Sequence, residues 1–523
     1  MEGNASQLRR LEGPDWSFYV AAAAALVLAL PALLVRAPAM PDYPAHLASY
    51  YLIETGAKAA AVSKFYHIHW ALIPNLGGEI AVPLLARLLG LELAARLFIV
   101  AAIAMWVLGP ALVRRALFGR AGAETLFAAF FAYNANLTWG FLNYDFAAGA
   151  AFVFLAAWIG SEARRGPLRL ALFALFATAI YFCHLFAAAM LLLLVGCFEL
   201  GGLLREPSRD AALRRLGAIV VVFLPSSILF FLKPQGADRS FAFNLWDRAL
   251  DRIDAAIQIT YDNPSYVLLA ALAIFLAAGL WRGWVRFHPR MLLPLGALAL
   301  GAVFAPEWAM GGWGVDLRLP AALGALTFAA SEFRLERRLL CAFAASAGLV
   351  LAVNAVLLAK DWLKTDRQFA EFRSAARHLP PGLRLLTVLD GDAIGYRSDQ
   401  PYWHMAEFAI INPGAFTPLL FTTADQHVVR LNRAYQPIAA GSAEQGSPPD
   451  IDELEDLAAS QIDEDEDIAN VFPYLMKFQC HYDVAVVVHL AGPRSAVPPM
   501  LRLRHAGSFF SLYDILPDRR CRR

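Results

Sequence analysis

The residues best suited to chemistry lie where the first apolar stretch ends. Asp42 and His46 are four residues apart, and Pro44 between them suits the first position of a helix. A carboxylate there can remove a proton from an acceptor hydroxyl, while nearby cations stabilise a departing phosphate. This chemistry suits transfer of a group from a lipid phosphate, with Asp42 as the base. The alternative is that Asp42 only caps a helix, where the helix dipole favours an acidic residue.

Further ionisable residues stand near the ends of apolar stretches. Such side chains are costly at membrane depth and are therefore candidates for a binding site. The candidate substrate-binding residues are His46, Asp145, His184, Lys233, Arg239, Asp316 and Arg318. His46 could instead be a polar residue on a wet helix face, and Asp145 could cap a helix. His184 could pack between helices, and Arg318 could form a structural ion pair with Asp316.

The remaining charged candidates are weaker. Lys233, Arg239, Arg248 and Arg252 could simply be solvated loop charges. His67 and His69, with Glu79 downstream, could bind a metal together with Asp42, but His-x-His alone is a weak signal. A divalent metal is therefore possible but doubtful, and the sequence requires no cofactor.

The composition places these residues in a membrane protein. Of the 523 residues, 59% are hydrophobic and only 17% are charged, whereas soluble proteins carry about 25% charged residues. The 45 Lys and Arg nearly balance the 44 Asp and Glu, which excludes a strongly basic nucleic-acid-binding protein. Half of the acidic residues follow Lys360. We therefore predict a membrane domain over 1–358 and a polar domain over 359–523.

Eleven apolar stretches are long enough to be candidate spans, since a bilayer requires roughly 20 apolar residues per helix. The stretch 168–203 is too long for one span, so we divide it at Cys183 and His184. The predicted spans are 17–36, 93–113, 122–138, 141–160, 168–182, 184–203, 215–232, 264–281, 291–309, 317–333 and 338–358.

The distribution of arginines predicts the orientation. With the N-terminus in the cytoplasm, every cytoplasmic loop is rich in arginine, as the positive-inside rule requires. An odd number of spans then places the C-terminal tail outside the cytoplasm. The outer loops are 37–92 and 233–263, and the stretches 44–60 and 78–90 of the first loop are predicted to be short helices at the membrane surface. The polar candidates would then share one aqueous cavity between the outer helix ends.

The tail has the pattern of a small α/β domain. A helix over Arg367–His378 precedes short stretches with strand character. The predicted strands are Leu383–Leu389, Tyr482–Leu490, Leu501–Arg504 and Ser508–Ile515. If the tail lies outside the cytoplasm, Cys480 and Cys521 could pair as a disulfide.

An N-terminal span is followed by Pro41-Asp42-Tyr43-Pro44-Ala45-His46, a long outer loop, many spans and an outer α/β tail. This order resembles the GT-C superfamily of membrane glycosyltransferases. Relatives include the protein mannosyltransferases and the aminoarabinose transferases acting on lipid A. The resemblance implies an inverting transfer of a sugar from a polyprenyl-phosphate carrier to a glycan, lipid or protein acceptor at the bacterial plasma membrane. Asp42 matches the catalytic aspartate of the family. Many relatives have a second acidic residue beside it, which this chain lacks.

Two other functions stay open at this point. A transporter or flippase of lipid-linked sugars predicts ionisable or Gly/Pro-broken helices at the bilayer midplane, whereas the polar residues here cluster at one face. A non-catalytic envelope protein with a degenerate transferase body is the other alternative, and the missing second acidic residue favours it.

Overall fold

The fold was analysed on a computed structural model. It describes residues 15–164, 166–205, 207–232, 241–260, 266–391, 399–442, 446–459, 473–492, 497–518 and 521. The chain forms two compact units. The helical unit comprises Met1–Leu34, Leu72–Gly78 and Arg96–Ala359, and the mixed unit comprises Val35–Ala71, Glu79–Ala95 and Lys360–Arg523. By its contacts, most of the first outer loop therefore belongs with the tail.

Apolar helices occupy ten of the eleven predicted span positions. Six helices in the described part of the chain are long and apolar enough to cross a membrane: Trp16–Leu34, Leu91–Phe118, Leu142–Gly160, Leu185–Leu203, Arg209–Leu232 and Arg337–Ala376. Shorter apolar helices are Pro167–Cys183, Tyr266–Trp281, Leu292–Phe304 and Leu319–Ala329. The predicted division at Cys183 and His184 is confirmed, because the backbone of His184 is extended between two helices.

The predicted span near 122–138 is wrong. This stretch consists of short pieces, Glu124–Ala128, Ala129–Ala132 and Ala135–Trp139, with Tyr133 and Asn134 extended between them. The Asn134 side chain accepts a hydrogen bond from the Asn136 amide at 2.9 Å and donates to the Phe131 carbonyl at 3.0 Å. Asparagine side chains compete in this way with the helical backbone bonds, so the apolar run does not form one helix.

The last predicted span is much longer than expected. Arg337–Ala376 is one helix of 40 residues, about 60 Å long at 1.5 Å per residue. It contains both the predicted span 338–358 and most of the predicted tail helix. Residues 359–366 contain neither proline nor glycine, so nothing in the sequence ends the helix between the two.

The helical unit also contains short elements between its long helices. They are the helix Ala249–Ala255 and the strands Phe241–Ala242, Val285–Phe287, Trp308–Ala309, Gly312–Trp313 and Ser331–Phe333.

The mixed unit contains the predicted tail strands. Its four-stranded sheet has the spatial order Leu501–Ala506, Phe510–Ile515, Val484–His489 and Leu385–Asp390. The last pair is parallel and the other pairs are antiparallel. The predicted α/β character of the tail is confirmed, and a disulfide joins Cys480 to Cys521.

The first outer loop contributes the helices Tyr43–Thr55, Ala60–Ser63 and Gly77–Leu89 and the strand Tyr66–Ile68, which pairs with Val429–Leu431. We call Tyr43–Thr55 the loop helix. It does not lie on a surface as expected, because Ala45, Ala48 and Leu52 belong to the same buried apolar core as the tail residues Ile410 and Phe416. Alanine at two of these positions allows close packing, and the polar residues between them also face other parts of the protein.

Candidate functional site

Asp42 lies at the start of the loop helix. Its carbonyl accepts a hydrogen bond from the His46 amide at 2.9 Å, and Pro44 occupies the second helical position, one later than predicted. The Asp42 side chain makes no capping hydrogen bond to the helix, and the backbone of Asp42 is helical rather than extended. Helix capping therefore does not account for the Asp42 carboxylate.

A partner of Asp42 comes from the tail. Nε2 of His404 lies 3.9 Å from Oδ1 of Asp42, and Nδ1 of the same ring lies 3.6 Å from Oε1 of Glu407. The His404 and Glu407 side chains are buried, with 4% and 0% of their surfaces exposed, while 15% of the Asp42 side chain is exposed. The carboxylate of Asp42 therefore reaches solvent at the edge of a buried imidazole.

Opposing effects set the charge of His404. Burial lowers the pKa of the imidazole, but the Glu407 and Asp42 carboxylates outweigh burial, so that the pKa of His404 is raised above its ordinary value. A raised pKa favours the imidazolium form near neutral pH. His404 can therefore place a positive charge beside the carboxylate of Asp42.

Phe421 forms the apolar side of this cluster. Its ring contacts three imidazoles, with centroid distances of 5.0 Å to His404, 5.4 Å to His46 and 5.4 Å to His427. His46 follows Asp42 by one helical turn and stacks on Tyr50. It is buried rather than on a wet face. Burial, together with the charges of His46 and Arg430, lowers the pKa of His427 to about 3, so His427 is neutral at physiological pH.

The described side chains do not fit a metal centre. Nδ1 of His67 lies 2.8 Å from Oδ1 of Asn432, so this ring nitrogen already has a hydrogen-bond partner in the protein. Among the described residues, no group of three or more His, Cys, Asp or Glu side chains is arranged to hold a metal ion.

In the helical unit, His184 and Arg318 lie around one tyrosine. The Tyr144 hydroxyl donates to the Arg318 carbonyl at 2.7 Å, and the His184 ring packs edge-on against Tyr144 at 5.3 Å. The Arg318 guanidinium lies over the rings of Phe141, Tyr144 and Phe186, at 4.8 to 5.5 Å from their centroids. This arrangement is a cation held by aromatic faces.

Asp316 has different partners from those expected. Its carboxylate is fully buried and accepts from Nε of Arg248 at 2.8 Å and from Nε of Arg252 at 3.2 Å. An ion pair with Arg318 was the alternative considered, but Arg248 and Arg252 are the cations that contact the Asp316 carboxylate. Arg248 and Arg252 are correspondingly not solvated loop charges. Burying a carboxylate requires such compensation, which explains why two arginines converge on it.

Asp145 is also buried in the helical unit. Nδ2 of Asn134 lies 3.4 Å from Oδ1 of Asp145, and the Trp106 indole donates to the Asp145 backbone carbonyl at 2.8 Å. Lys233 and Arg239 lie outside the described residues. Asp42 and His46 thus belong to the mixed unit, and Asp145, His184, Asp316 and Arg318 to the helical unit. That all of them share one cavity stays a prediction.

No protein-family model and no curated protein matches the sequence. The structure is similar to the crystal structure of ArnT from Cupriavidus metallidurans in the apo state, with a TM-score of 0.51 and 13% sequence identity. The similarity covers 95% of this chain and 97% of that chain. The two proteins therefore share a similar fold. At 13% identity the similarity concerns the fold, and the function has to be argued from the site.

The apolar helices, the C-terminal sheet and this similarity confirm the predicted class, an α-helical polytopic membrane protein with a C-terminal α/β domain. Sequence reasoning missed His404, Glu407 and Phe421, although His404 contacts Asp42 and Glu407, and Phe421 contacts His46. His404 and Glu407 are three residues apart, a spacing that brings side chains together on one helical turn. Nothing in the sequence links this pair to Asp42, about 360 residues earlier.

Proposed function

We propose that the protein is an inverting glycosyltransferase that moves a sugar from a polyprenyl-phosphate carrier to an acceptor on the outer face of the plasma membrane. The observation that carries this proposal is the state of Asp42 within a fold similar to that of ArnT. Its partly exposed carboxylate makes no helix cap and lies 3.9 Å from a buried imidazole. The family resemblance assigns the base to the same residue.

The proposed reaction is a single displacement. The Asp42 carboxylate accepts the proton of the acceptor hydroxyl, and that oxygen attacks the anomeric carbon of the donor sugar. The bond between this carbon and the phosphate oxygen breaks, and the polyprenyl phosphate leaves with the bonding electrons. Attack opposite to the leaving group inverts the configuration at the anomeric carbon. A cationic His404 beside the base would favour the ionised form of Asp42 before the reaction.

The proposed orientation has two supports. Arginines fill the loops predicted to be cytoplasmic. The disulfide between Cys480 and Cys521 suits an oxidising compartment such as the bacterial periplasm, whereas cytosolic thiols stay reduced. Both support a tail, and with it Asp42 and His404, on the outer side of the membrane.

The deciding experiment compares the envelope lipids and glycans of cells that carry the wild-type protein, no protein or Asp42→Asn. Mass spectrometry is expected to find one glycoconjugate that loses a sugar-sized mass in both the deletion strain and the variant. The mass difference identifies the sugar. Asp456→Asn is the matched control, because it makes the same change on an exposed helix position of the mixed unit.

The alternatives give different results. A full glycoconjugate profile in a well-inserted Asp42→Asn variant would overturn the assignment of the base. Uptake of a lipid-linked sugar into vesicles that does not depend on Asp42 would favour a transporter. An unchanged profile in the deletion strain would favour the non-catalytic envelope protein.

A further inference from the structure

The contacts of His404 connect two carboxylates. One ring nitrogen faces Asp42 at 3.9 Å and the other faces Glu407 at 3.6 Å. These distances are long for hydrogen bonds and suit ion-pair contacts. A doubly protonated ring has an N–H directed at each carboxylate, whereas a neutral ring has only one. The geometry therefore suits an imidazolium between two anions.

Glu407 has few other means of compensation. Its side chain is fully buried, and neither carboxylate oxygen receives a hydrogen bond from the described residues. An ionised carboxylate in such a place is stable only with a cation nearby. Tyr66 faces it from the strand Tyr66–Ile68, and burial, together with the charge of Glu407, raises the pKa of that phenol. Tyr66 therefore stays neutral, and His404 is the cation that Glu407 contacts.

The other titratable groups around His404 do not replace it. From the loop helix, His46 and Tyr50 lie near the cluster, and burial raises the pKa of Tyr50 well above its ordinary value. From the segment around Phe421, His427 is neutral at physiological pH because its pKa is lowered to about 3. Arg430 acts on His427, and its guanidinium donates to the carbonyls of Thr422 and Thr423.

We propose that His404 is a positioning residue for Asp42, and that Glu407 maintains it in the protonated form. The inference rests on the proposed function. The imidazolium fixes the direction of the Asp42 carboxylate and favours its ionised form, while Glu407 prevents the loss of the imidazole proton. Activity then requires Asp42 without its proton and His404 with its proton, which gives a bell-shaped dependence on pH.

The direction of each change follows from the charges. As the pH rises through the raised pKa of His404, the ring loses its proton and the activity declines on the alkaline side. Glu407→Gln removes the anion that opposes this loss, so the pKa of His404 falls and the alkaline decline moves to lower pH, by about one to three pH units. His404→Gln removes the titrating ring, so the alkaline decline disappears and the activity is low at every pH.

The test measures initial rates in membranes from expressing cells, which contain the native lipid donors. The measured product is the glycoconjugate found by the Asp42→Asn comparison, followed from about pH 5 to about pH 10. The control is His427→Gln, which removes a neutral imidazole from the same aromatic cluster. It is expected to change the amplitude of the profile without moving either side.

The outcomes separate the two proposals. A product that still forms in Asp42→Asn refutes the assignment of Asp42 as the base, on which the positioning role depends. If Asp42→Asn is inactive while Glu407→Gln leaves the alkaline decline in place, the positioning role alone fails. If Glu407→Gln does not accumulate in the membrane, His404→Gln decides: retention of a wild-type alkaline decline would refute the role of the imidazolium.

Discussion

The buried ion pair at Asp316 allows a quantitative prediction. Asp316→Asn keeps the shape of the side chain but removes the anion shared by Arg248 and Arg252. Arg248 keeps the Glu307 carboxylate, 3.0 Å away, so the cation left uncompensated is Arg252. Removing one partner of a buried pair costs about 3 to 5 kcal/mol of unfolding free energy, because the remaining charge is uncompensated. Arg252 is held in place by further bonds to the carbonyls of Leu245 at 3.0 Å and Val303 at 3.1 Å. It therefore cannot turn to solvent without breaking them.

The assay is thermal unfolding of the purified protein in detergent. For a chain of this length, 1 kcal/mol corresponds to about 1 °C, so Asp316→Asn should lower the apparent Tm by about 3 to 5 °C. The matched control is Asp251→Asn. This carboxylate lies 3.9 Å from Nη1 of the same Arg248, but 28% of it is exposed. Exposed pairs contribute at most about 1 kcal/mol.

Equal shifts for the two variants would refute this reasoning, and so would an Asp316→Asn protein that melts like the wild type. Either result would mean that burial does not determine the strength of this ion pair.

Three further predictions concern the mixed unit. Reduction of the Cys480–Cys521 disulfide, or Cys480→Ser, should destabilise the unit by about 3 to 4 kcal/mol. The expected result is faster proteolysis of the unit. Protease resistance that does not change with reductant would contradict this. His489 contacts Asp390 at 2.8 Å and Ser511 at 2.9 Å, on the strands to either side of its own. His489→Ala removes both of these hydrogen bonds and should cost about 2 kcal/mol or more of unfolding free energy, measured by chemical denaturation. An unchanged denaturation midpoint would contradict this. Leu52→Ala, in the core shared with the tail, should cost about 2 to 5 kcal/mol of unfolding free energy. A loss well below about 2 kcal/mol, the lower limit for such sites, would show that the loop helix is not part of that core.

The parts of the fold that follow from local pattern were predictable. Spans are determined by the length of their apolar runs, and the tail strands by short runs of β-branched and aromatic residues. The predicted span over 122–138 was wrong because hydropathy does not show that the Asn134 side chain interrupts the helix. The continuity of the helix Arg337–Ala376 was not predicted, because the change of composition near residue 359 was interpreted as a helix boundary. No helix-breaking residue lies there.

The site was predictable only in part. Asp42 and His46 have a local signal, since a proline and a helix start lie beside them. Their partners His404 and Phe421 are contributed by tertiary contacts, which a single sequence does not reveal. Arg248 was misinterpreted for the same reason, because a loop arginine appears solvated until a buried carboxylate is found next to it.

The burial of the loop helix has a consequence for biosynthesis. Its apolar side belongs to a core completed by the tail, and the Tyr66 hydroxyl donates to the Thr417 carbonyl 351 residues later. At ~5–20 residues per second, the ribosome needs about 20 to 70 seconds to make that stretch. During this interval the nascent loop lacks the tail residues that complete the core around Leu52. The bilayer surface or a chaperone must shelter it until the end of translation.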